Sequence, residues 1–204
     1  ATKTGDHNIA IGREALKSNQ EGSNSVAIGH EALENQNPSS ATSMYNIAVG
    51  HNAGKSVTTG VQNTFIGGLA GDAITTGVSN TVLGYNALSN ETTGDQSTAI
   101  GQSALRDQNN SSNTDANNTA VGFHAGLSVT TGINNTLIGA QAGDALTDAD
   151  HNIAVGALAL STDTLGTRSV AIGRQSLQTQ NFDSATSAFN VAVGDHSGLS
   201  VTTG

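Results

Sequence analysis

A five-residue pattern that ends in glycine recurs through the whole chain and constrains its fold more than any other feature. Each copy reads Asn or Ser, two variable residues, an aliphatic residue and a glycine, which we call the anchor glycine. The anchor glycines are Gly12, Gly29, Gly50, Gly67, Gly84, Gly101, Gly122, Gly139, Gly156, Gly173 and Gly194. From one anchor to the next, the residue number rises by 17, 21, 17, 17, 17, 21, 17, 17, 17 and 21. Such a regular period predicts a solenoid in which each repeat forms one coil.

The longer spacings follow a period of their own. They begin at Gly29, Gly101 and Gly173, whose residue numbers rise in equal steps of 72. We therefore predict 17-residue coils, with every fourth coil extended to 21, in a 72-residue super-repeat. Residues 1–204 are expected to form a single continuous β-roll region. Because the chain begins and ends inside a repeat, we expect it to be an excerpt of a longer protein.

The residues before each anchor glycine predict a short strand. The residue directly before it is always Ile, Val or Leu, and β-branched side chains favour strands. We predict that these residues form the core: Ile11, Ile28, Val49, Ile66, Leu83, Ile100, Val121, Ile138, Val155, Ile172 and Val193. The preceding residue, mostly Ala, points to the opposite face of the strand. Since both faces are apolar, we expect another copy of the chain to cover the Ala face.

A second short strand is predicted after each anchor glycine, where an exchange of residues indicates one filled pocket per coil. If the fourth residue after the anchor is Leu, as at Leu33, the seventh is polar. If the fourth is Gly, as at Gly54, the seventh is aliphatic, as at Val57. One apolar side chain would thus fill the same pocket from either of two backbone sites. A disordered low-complexity linker, the alternative for this composition, would not keep such an exchange.

Glycines and loops mark the corners of the coils. Gly follows several anchors by ten residues, as in the stretch 58–60, Thr-Thr-Gly, where it permits a turn with positive φ. The 21-residue coils carry the longer segments 37–44, 110–117 and 181–188 instead. We expect these loops to project from one edge and to supply any receptor contact. The candidate contact residues are Pro38, Ser112 and Asp183.

Composition excludes several classes of function. The formal net charge of −9 disfavours nucleic acid, whose binding needs a basic face. No apolar run approaches the roughly 18 residues of a membrane span, so we expect no direct membrane insertion. The absence of Cys removes disulfides and thiolate metal sites. With aromatic residues at 3%, only a thin core of small, stacked side chains can form.

No catalytic, cofactor or metal site is expected, and we predict that the chain is not an enzyme. The six histidines are His7, His30, His51, His124, His151 and His196. They recur in no consistent pair, which favours surface or intersubunit hydrogen bonding over a metal site with converging ligands. Asp148 and Asp150 could suggest calcium, but the nonapeptide calcium signature is missing, which favours a solvated corner. No carboxylate pair, nucleophile motif or phosphate loop stands out.

The pentads resemble known fibre repeats. Residues 25–29 and 169–173 both read Ser-Val-Ala-Ile-Gly and resemble the repeat of YadA-type trimeric autotransporter adhesin heads. The alternation of Asn-Thr-Ala-Val-Gly with Thr-Thr-Gly corners is similar to bacteriophage and viral tail-fibre repeats. The resemblance covers all eleven pentads, although the adhesin-head repeats are shorter. It implies a left-handed parallel β-roll in which three chains pack about one axis as a homotrimer.

The resemblance implies an extracellular fibre or adhesin segment, a stalk or head on a cell surface or virion. Its work would be mechanical extension and surface or receptor attachment, with a cell-surface glycan or protein as partner. A purely structural filament subunit without a receptor is the alternative. Ice binding is a third hypothesis, suggested by the threonine-rich corners. Adjacent threonines on a strand would point to opposite sides, however, which breaks a flat array.

Overall fold

The computed structural model describes residues 5–110 and 112–203. Over these ranges the chain is all-β, with no helix and hence none that could cross a membrane. The strands are β1 (Ile9–Ile11), β2 (Gly22–Ser23), β3 (Val26–Ile28), β4 (Thr42–Ser43), β5 (Ile47–Val49), β6 (Thr64–Ile66), β7 (Thr81–Leu83), β8 (Thr98–Ile100), β9 (Thr119–Val121), β10 (Thr136–Ile138), β11 (Ile153–Val155), β12 (Gly166–Thr167), β13 (Val170–Ile172), β14 (Thr186–Ser187) and β15 (Val191–Val193).

The three-residue strands form one 11-stranded parallel sheet in the order β1-β3-β5-β6-β7-β8-β9-β10-β11-β13-β15. Each strand pairs with the equivalent strand of the next coil, so that Ile9 lies opposite Val26 and Val26 lies opposite Ile47. The spacing of the anchor glycines therefore sets the register. The prediction of a parallel β-solenoid built from 17-residue coils is confirmed. At ~4.8 Å per strand, eleven coils extend over about 50 Å.

Turns, and not the expected second strand, follow each anchor glycine. The second and fourth residues after the anchor have positive φ, as at Glu31 (57°) and Leu33 (48°). Left-handed residues at alternate positions curl the backbone, whereas a strand needs extended φ throughout. The turns still bond from coil to coil, since Leu33 N donates to Ala53 O at 3.1 Å. Each coil thus consists of one strand, one turn segment and one corner.

The interior is lined by the middle residue of each three-residue strand after β1 and by side chains of the turn segment. The middle residues Ala27, Phe65 and Leu137 are fully buried. Both kinds of pocket-filling residue are buried as well: Leu33, Leu88, Leu105 and Leu160 in one class of coil, and Val57, Ile74, Val129 and Leu146 in the other. The expected filling of one pocket from two backbone sites is therefore observed.

The predicted core residues lie on the outside of the solenoid, so that prediction is wrong. Ile11 is 59% exposed, Ile66 38% and Val193 65%. None of the predicted core residues is buried: Ile11, Ile28, Val49, Ile66, Leu83, Ile100, Val121, Ile138, Val155, Ile172 and Val193. The physical reason is the narrow interior, which has room for only Ala at most middle positions once the side chains of the turn segment are in place. Strand alternation then turns the last residue outward.

A ladder of buried amides runs beside the sheet. Asn63 donates from Nδ2 to Gly77 O at 2.8 Å, and its Oδ1 accepts from Asn80 N at 2.9 Å. Where Ser replaces this Asn, a Gln from the same coil completes the ladder. Gln108 donates to Ser97 Oγ at 3.0 Å and accepts from Asn118 Nδ2 at 2.9 Å. Buried polar groups need such partners, so the ladder ties each coil to the next.

The anchor glycines allow the coils to stack closely. Their φ values lie between 127° at Gly173 and 143° at Gly84, in a region that side chains rarely adopt. A Cβ on Gly12, or on any later anchor up to Gly173, would collide with the carbonyl oxygen of the next anchor glycine. Only glycine therefore lets neighbouring coils approach this closely here. The corner glycine Gly60 does not have the predicted positive φ. Close stacking requires glycine here as well, because a Cβ on Gly60 would collide with Gly77 O.

Candidate interaction surface

Most of the exposed large hydrophobic residues lie on one side of the sheet. We call this side, made by the first and last residue of each three-residue strand, the outward sheet face. Its exposed aliphatic residues include Ile9, Ile11, Ile47, Ile66, Leu83, Ile138, Ile153, Ile172, Val191 and Val193. With strands ~10 Å long over about 50 Å, the face measures on the order of 500 Å². This area is comparable to the largest apolar patches of monomeric proteins, which are often functional.

The outward sheet face is more polar in its middle than at its ends. The first strand residue is aliphatic at both ends, as at Ile47 and Ile153. In five consecutive coils it is threonine: Thr64, Thr81, Thr98, Thr119 and Thr136. The last residue stays aliphatic throughout, so the middle of the face presents alternating rows of hydroxyl and aliphatic groups.

Four exposed aromatic residues flank the outward sheet face. Tyr45 and Phe189 lie two residues before their strands and are 57% and 66% exposed. Tyr85 and Phe123 directly follow an anchor glycine and are 58% and 47% exposed. These rings are not among the contact residues predicted from the sequence. The available signal was their place in the repeat, because most other coils have a polar or small residue at the same positions.

The three loops are held against the preceding coil along most of their second half. β2 pairs with β4 and β12 pairs with β14, and a bridge joins Asp95 to Asp115 at the equivalent place. Further bonds follow the pairs, since Met44 N donates to Ser23 O at 2.9 Å. The loops therefore form a short second ladder at one corner.

One of the predicted contact residues is wrong. Ser112 and Asp183 are exposed, but Pro38 is buried. Pro38 occupies the same place in its coil as Asn110 and Phe182, which are buried too, because the chain turns this residue into the interior at the start of each loop. In the loop 110–117, Ser111 lies outside the described residues.

The histidines do not converge on a site in the described chain. The rings of His30 and His51 stack at 5.2 Å between centroids, as expected for equivalent positions in neighbouring coils. His124 stacks on Phe123, and His196 lies 2.9 Å from Asp195. These contacts are those of surface side chains.

A cluster of charged side chains lies on the turn segments of three neighbouring coils. Oxygens of Glu14, Glu31 and Glu34 lie close enough together to hold an ion. Lysines already pair with them, however: Lys55 approaches Glu31 at 2.5 Å and Lys17 approaches Glu34 at 3.3 Å. The hydrogen bond from Lys55 lowers the pKa of Glu31 below its ordinary value. The cluster is therefore neutralised by its own cations.

Two carboxylates on the turn segments each have a buried oxygen without a hydrogen-bond partner. They are Asp72 and Asp144, which are the fifth residues after their anchor glycines. Burial raises the pKa of both carboxyl groups. Asp148 and Asp150 behave differently, because they accept bonds from Thr131 Oγ1 (2.7 Å) and Ile133 N (2.8 Å) of the preceding coil. Those two carboxylates therefore connect neighbouring coils at a corner.

The described ranges contain no pocket. No protein-family model matches the chain, and comparisons with curated proteins and with solved structures found no match to it. A function can therefore be inferred from the outward sheet face and from the edge formed by the described residues of loops 37–44, 110–117 and 181–188, which we call the loop edge.

Proposed function

We propose that the chain is a segment of a homotrimeric extracellular fibre or adhesin, a stalk or head in which three outward sheet faces meet around a common axis. The observation that supports this proposal is the outward sheet face itself. Its aliphatic row at the last strand position continues through all eleven strands in register, and no residue of the described chain folds over it.

Covering this face would release a large free energy. At ~25 cal/mol per Å², burial of about 500 Å² contributes on the order of 10 kcal/mol per chain. Association costs a comparable amount in lost freedom, so a stable particle needs the whole length of the face. The stacked β-branched side chains at the last strand position suit such a dry contact, because they are stiff and lose little entropy on burial.

The remaining features fit a stiff spacer. Backbone bonds and buried amides connect every coil to the next, so tension along the axis would load many bonds in parallel. The 72-residue super-repeat would place a loop edge at every fourth coil, about 19 Å apart. The proposal includes left-handed coiling, three chains and an extracellular location. These three features come from the resemblance to adhesin heads and tail fibres. Attachment to a surface or receptor would use the loop edge.

Light scattering of the purified protein tests the assembly. One chain has a mass of 20.4 kDa, and a homotrimer has three times that mass. A mass of one chain would overturn the proposal. Polymers that lengthen with concentration and bind no receptor would support the purely structural filament subunit instead.

Ice binding is favoured by one observation of its own, the five aligned threonines of the outward sheet face. The threonine-rich corners do not support it, because Thr58 Oγ1 donates to Thr75 O at 3.2 Å and is used within the fold. Thermal hysteresis by the wild type, lost in Thr98→Leu, would support ice binding. A trimer that buries the same face would exclude it.

A further inference from the structure

We infer that the loop edge carries a row of equivalent binding sites for uncharged glycans, a conclusion that rests on the attachment function proposed above. Three residues at each site come from positions that are equivalent in the 72-residue super-repeat. The first site consists of Asn24, Ser43 and Tyr45, the second of Gln96, Asp115 and Asn117, and the third of Arg168, Ser187 and Phe189. We call these the loop-edge sites.

The polar pair of each loop-edge site has the same geometry. A side chain of the preceding coil donates to the loop residue: Asn24 Nδ2 to Ser43 Oγ at 3.1 Å, and Arg168 Nη1 to Ser187 Oγ at 2.7 Å. In the second site Gln96 Nε2 donates to Asp115 Oδ1 at 2.7 Å. An amide or guanidinium donor thus meets a hydroxyl or carboxylate acceptor at one exposed place in every super-repeat, with spare donors and acceptors for a ligand.

Two of the three sites carry an exposed ring two residues after the loop residue of the polar pair. Tyr45 and Phe189 are among the most exposed large side chains in the described chain. The guanidinium of Arg168 lies 5.8 Å from the centre of the Phe189 ring. A pyranose ring has an apolar C–H face and a rim of hydroxyl groups, so it can stack on an aromatic ring while its rim bonds to the polar pair.

The rings are held in place by the backbone. Tyr45 and Phe189 both adopt left-handed φ, 52° and 54°. The residue before each ring is tied to the preceding coil, by Met44 N to Ser23 O at 2.9 Å and by Ala188 N to Thr167 O at 3.0 Å. A side chain presented by a fixed backbone loses less freedom when it binds, which strengthens weak contacts.

Charge and spacing narrow the ligand class. The net charge of −9 repels sulfated and other anionic polymers, which favours uncharged glycans. Neighbouring sites are four coils, or about 19 Å, apart along a stiff axis. A single site of this size binds weakly, but several on one rod can engage one polymer and raise its avidity by roughly 10²–10⁴-fold. The ligand is therefore a repetitive polysaccharide or a dense glycan surface.

The second site offers a gain-of-function test. Asn117 has a φ of 51°, close to that of Tyr45 and Phe189. The backbone at this position therefore has a conformation in which the chain carries an aromatic residue at the two equivalent positions. We expect Asn117→Tyr to complete the second site. The loss-of-function variant is Tyr45→Ala/Phe189→Ala, and its matched control is Tyr85→Ala, which removes an equally exposed ring outside the loop-edge sites.

Binding is measured on immobilised glucan, mannan and galactan, with heparin and gelatin as the anionic and protein surfaces. We expect the wild type to bind at least one neutral polysaccharide. The double alanine variant should lower the affinity about tenfold or more. Asn117→Tyr should raise the affinity, and Tyr85→Ala should leave it unchanged. Absence of binding to all three polymers, stronger binding to heparin or gelatin, or an unaffected double variant would overturn the inference.

Light scattering of the same samples separates this inference from the fibre proposal. A variant that stays trimeric but loses neutral-glycan binding supports both. A wild-type trimer that binds no neutral polysaccharide would support the fibre proposal and overturn the glycan sites. If Tyr45→Ala/Phe189→Ala dissociates into single chains, the rings belong to contacts between chains and the glycan sites are overturned.

Discussion

Leu137 fills the space that Gly126 leaves empty in the neighbouring coil. A Cβ on Gly126 would lie 2.7 Å from Leu137 Cδ1, and a Cβ on Gly143 would lie 2.7 Å from Leu137 Cδ2. Phe65 is flanked in the same way by Gly54 and Gly71. Glycine replaces leucine at the fourth position after the anchor in pairs of coils because a large middle strand residue lies between the two glycines.

We expect Gly126→Ala to lower the free energy of unfolding by about 2 kcal/mol, because an added methyl group overpacks this contact. Leu137→Ala alone should cost about 2–5 kcal/mol through the cavity that it leaves. The combination Gly126→Ala/Leu137→Ala should cost less than the sum, since the new methyl group enters the vacated space. Urea denaturation of the four proteins measures this coupling, and strictly additive costs would contradict it.

The amide ladder predicts a large effect for a polar residue in the interior. Gln108→Leu should destabilise the protein by about 1–3 kcal/mol, because it leaves Ser97 Oγ without a partner and removes one bond each from Glu91 Oε2 and Asn118 Nδ2. The control Gln102→Leu, at an exposed position, should stay within about 0.5 kcal/mol of the wild type. Equal melting temperatures for the two variants would show that the ladder contributes nothing.

The two sides of one strand should respond differently to a charge. Ala99 is fully buried and Ile100 is on the outward sheet face. Ala99→Asp should unfold the neighbouring coils, because it buries an unpaired carboxylate. Ile100→Asp should keep the circular dichroism spectrum of the wild type and weaken chain association. Loss of the folded spectrum in Ile100→Asp, together with a normal spectrum in Ala99→Asp, would reverse the assignment of the two faces.

Stability should fall as the buried carboxyl of Asp72 ionises. Its pKa is raised in the folded chain above the ordinary value of 3.8, chiefly by burial, while Lys55 opposes the shift. The folded state then binds more protons than the unfolded state, so stability decreases with rising pH between 3.8 and the folded pKa. Asp72→Asn should remove this decrease and raise the melting temperature at pH 7.

Melting curves from pH 3 to pH 8 check the prediction for Asp72, with Asp183→Asn, an exposed loop carboxyl, as the control. The variant and the wild type should converge at the acidic end of the range. A melting temperature for Asp72→Asn below that of the wild type at pH 7 would show that the charged form stabilises the fold. Asp144 occupies the equivalent place and should behave in the same way.

Some features of the loop edge could be predicted from the sequence and others could not. The position of each loop follows from the 21-residue spacing, and the exposure of Ser112 and Asp183 agrees with it. The burial of Pro38 and the ladder between Ser23 and Ser43 depend on contacts between neighbouring coils, which no local pattern shows. The aromatic positions Tyr45 and Phe189 were visible in the repeat, but only the structure shows that the Arg168 guanidinium lies over the Phe189 ring.

The parallel solenoid, the length of its coils and its register follow from the repeat pattern alone, because a strand that stacks on its own repeat must pair at the repeat spacing. Which side of each strand lies inside depends on packing that the pattern does not show. Both sides are apolar, so alternation leaves two solutions with the same pattern. The left-handed turn segments choose between them, since they bring Leu33 or Val57 so close to the sheet that alanine fits the middle position and the larger Ile28 must face outward.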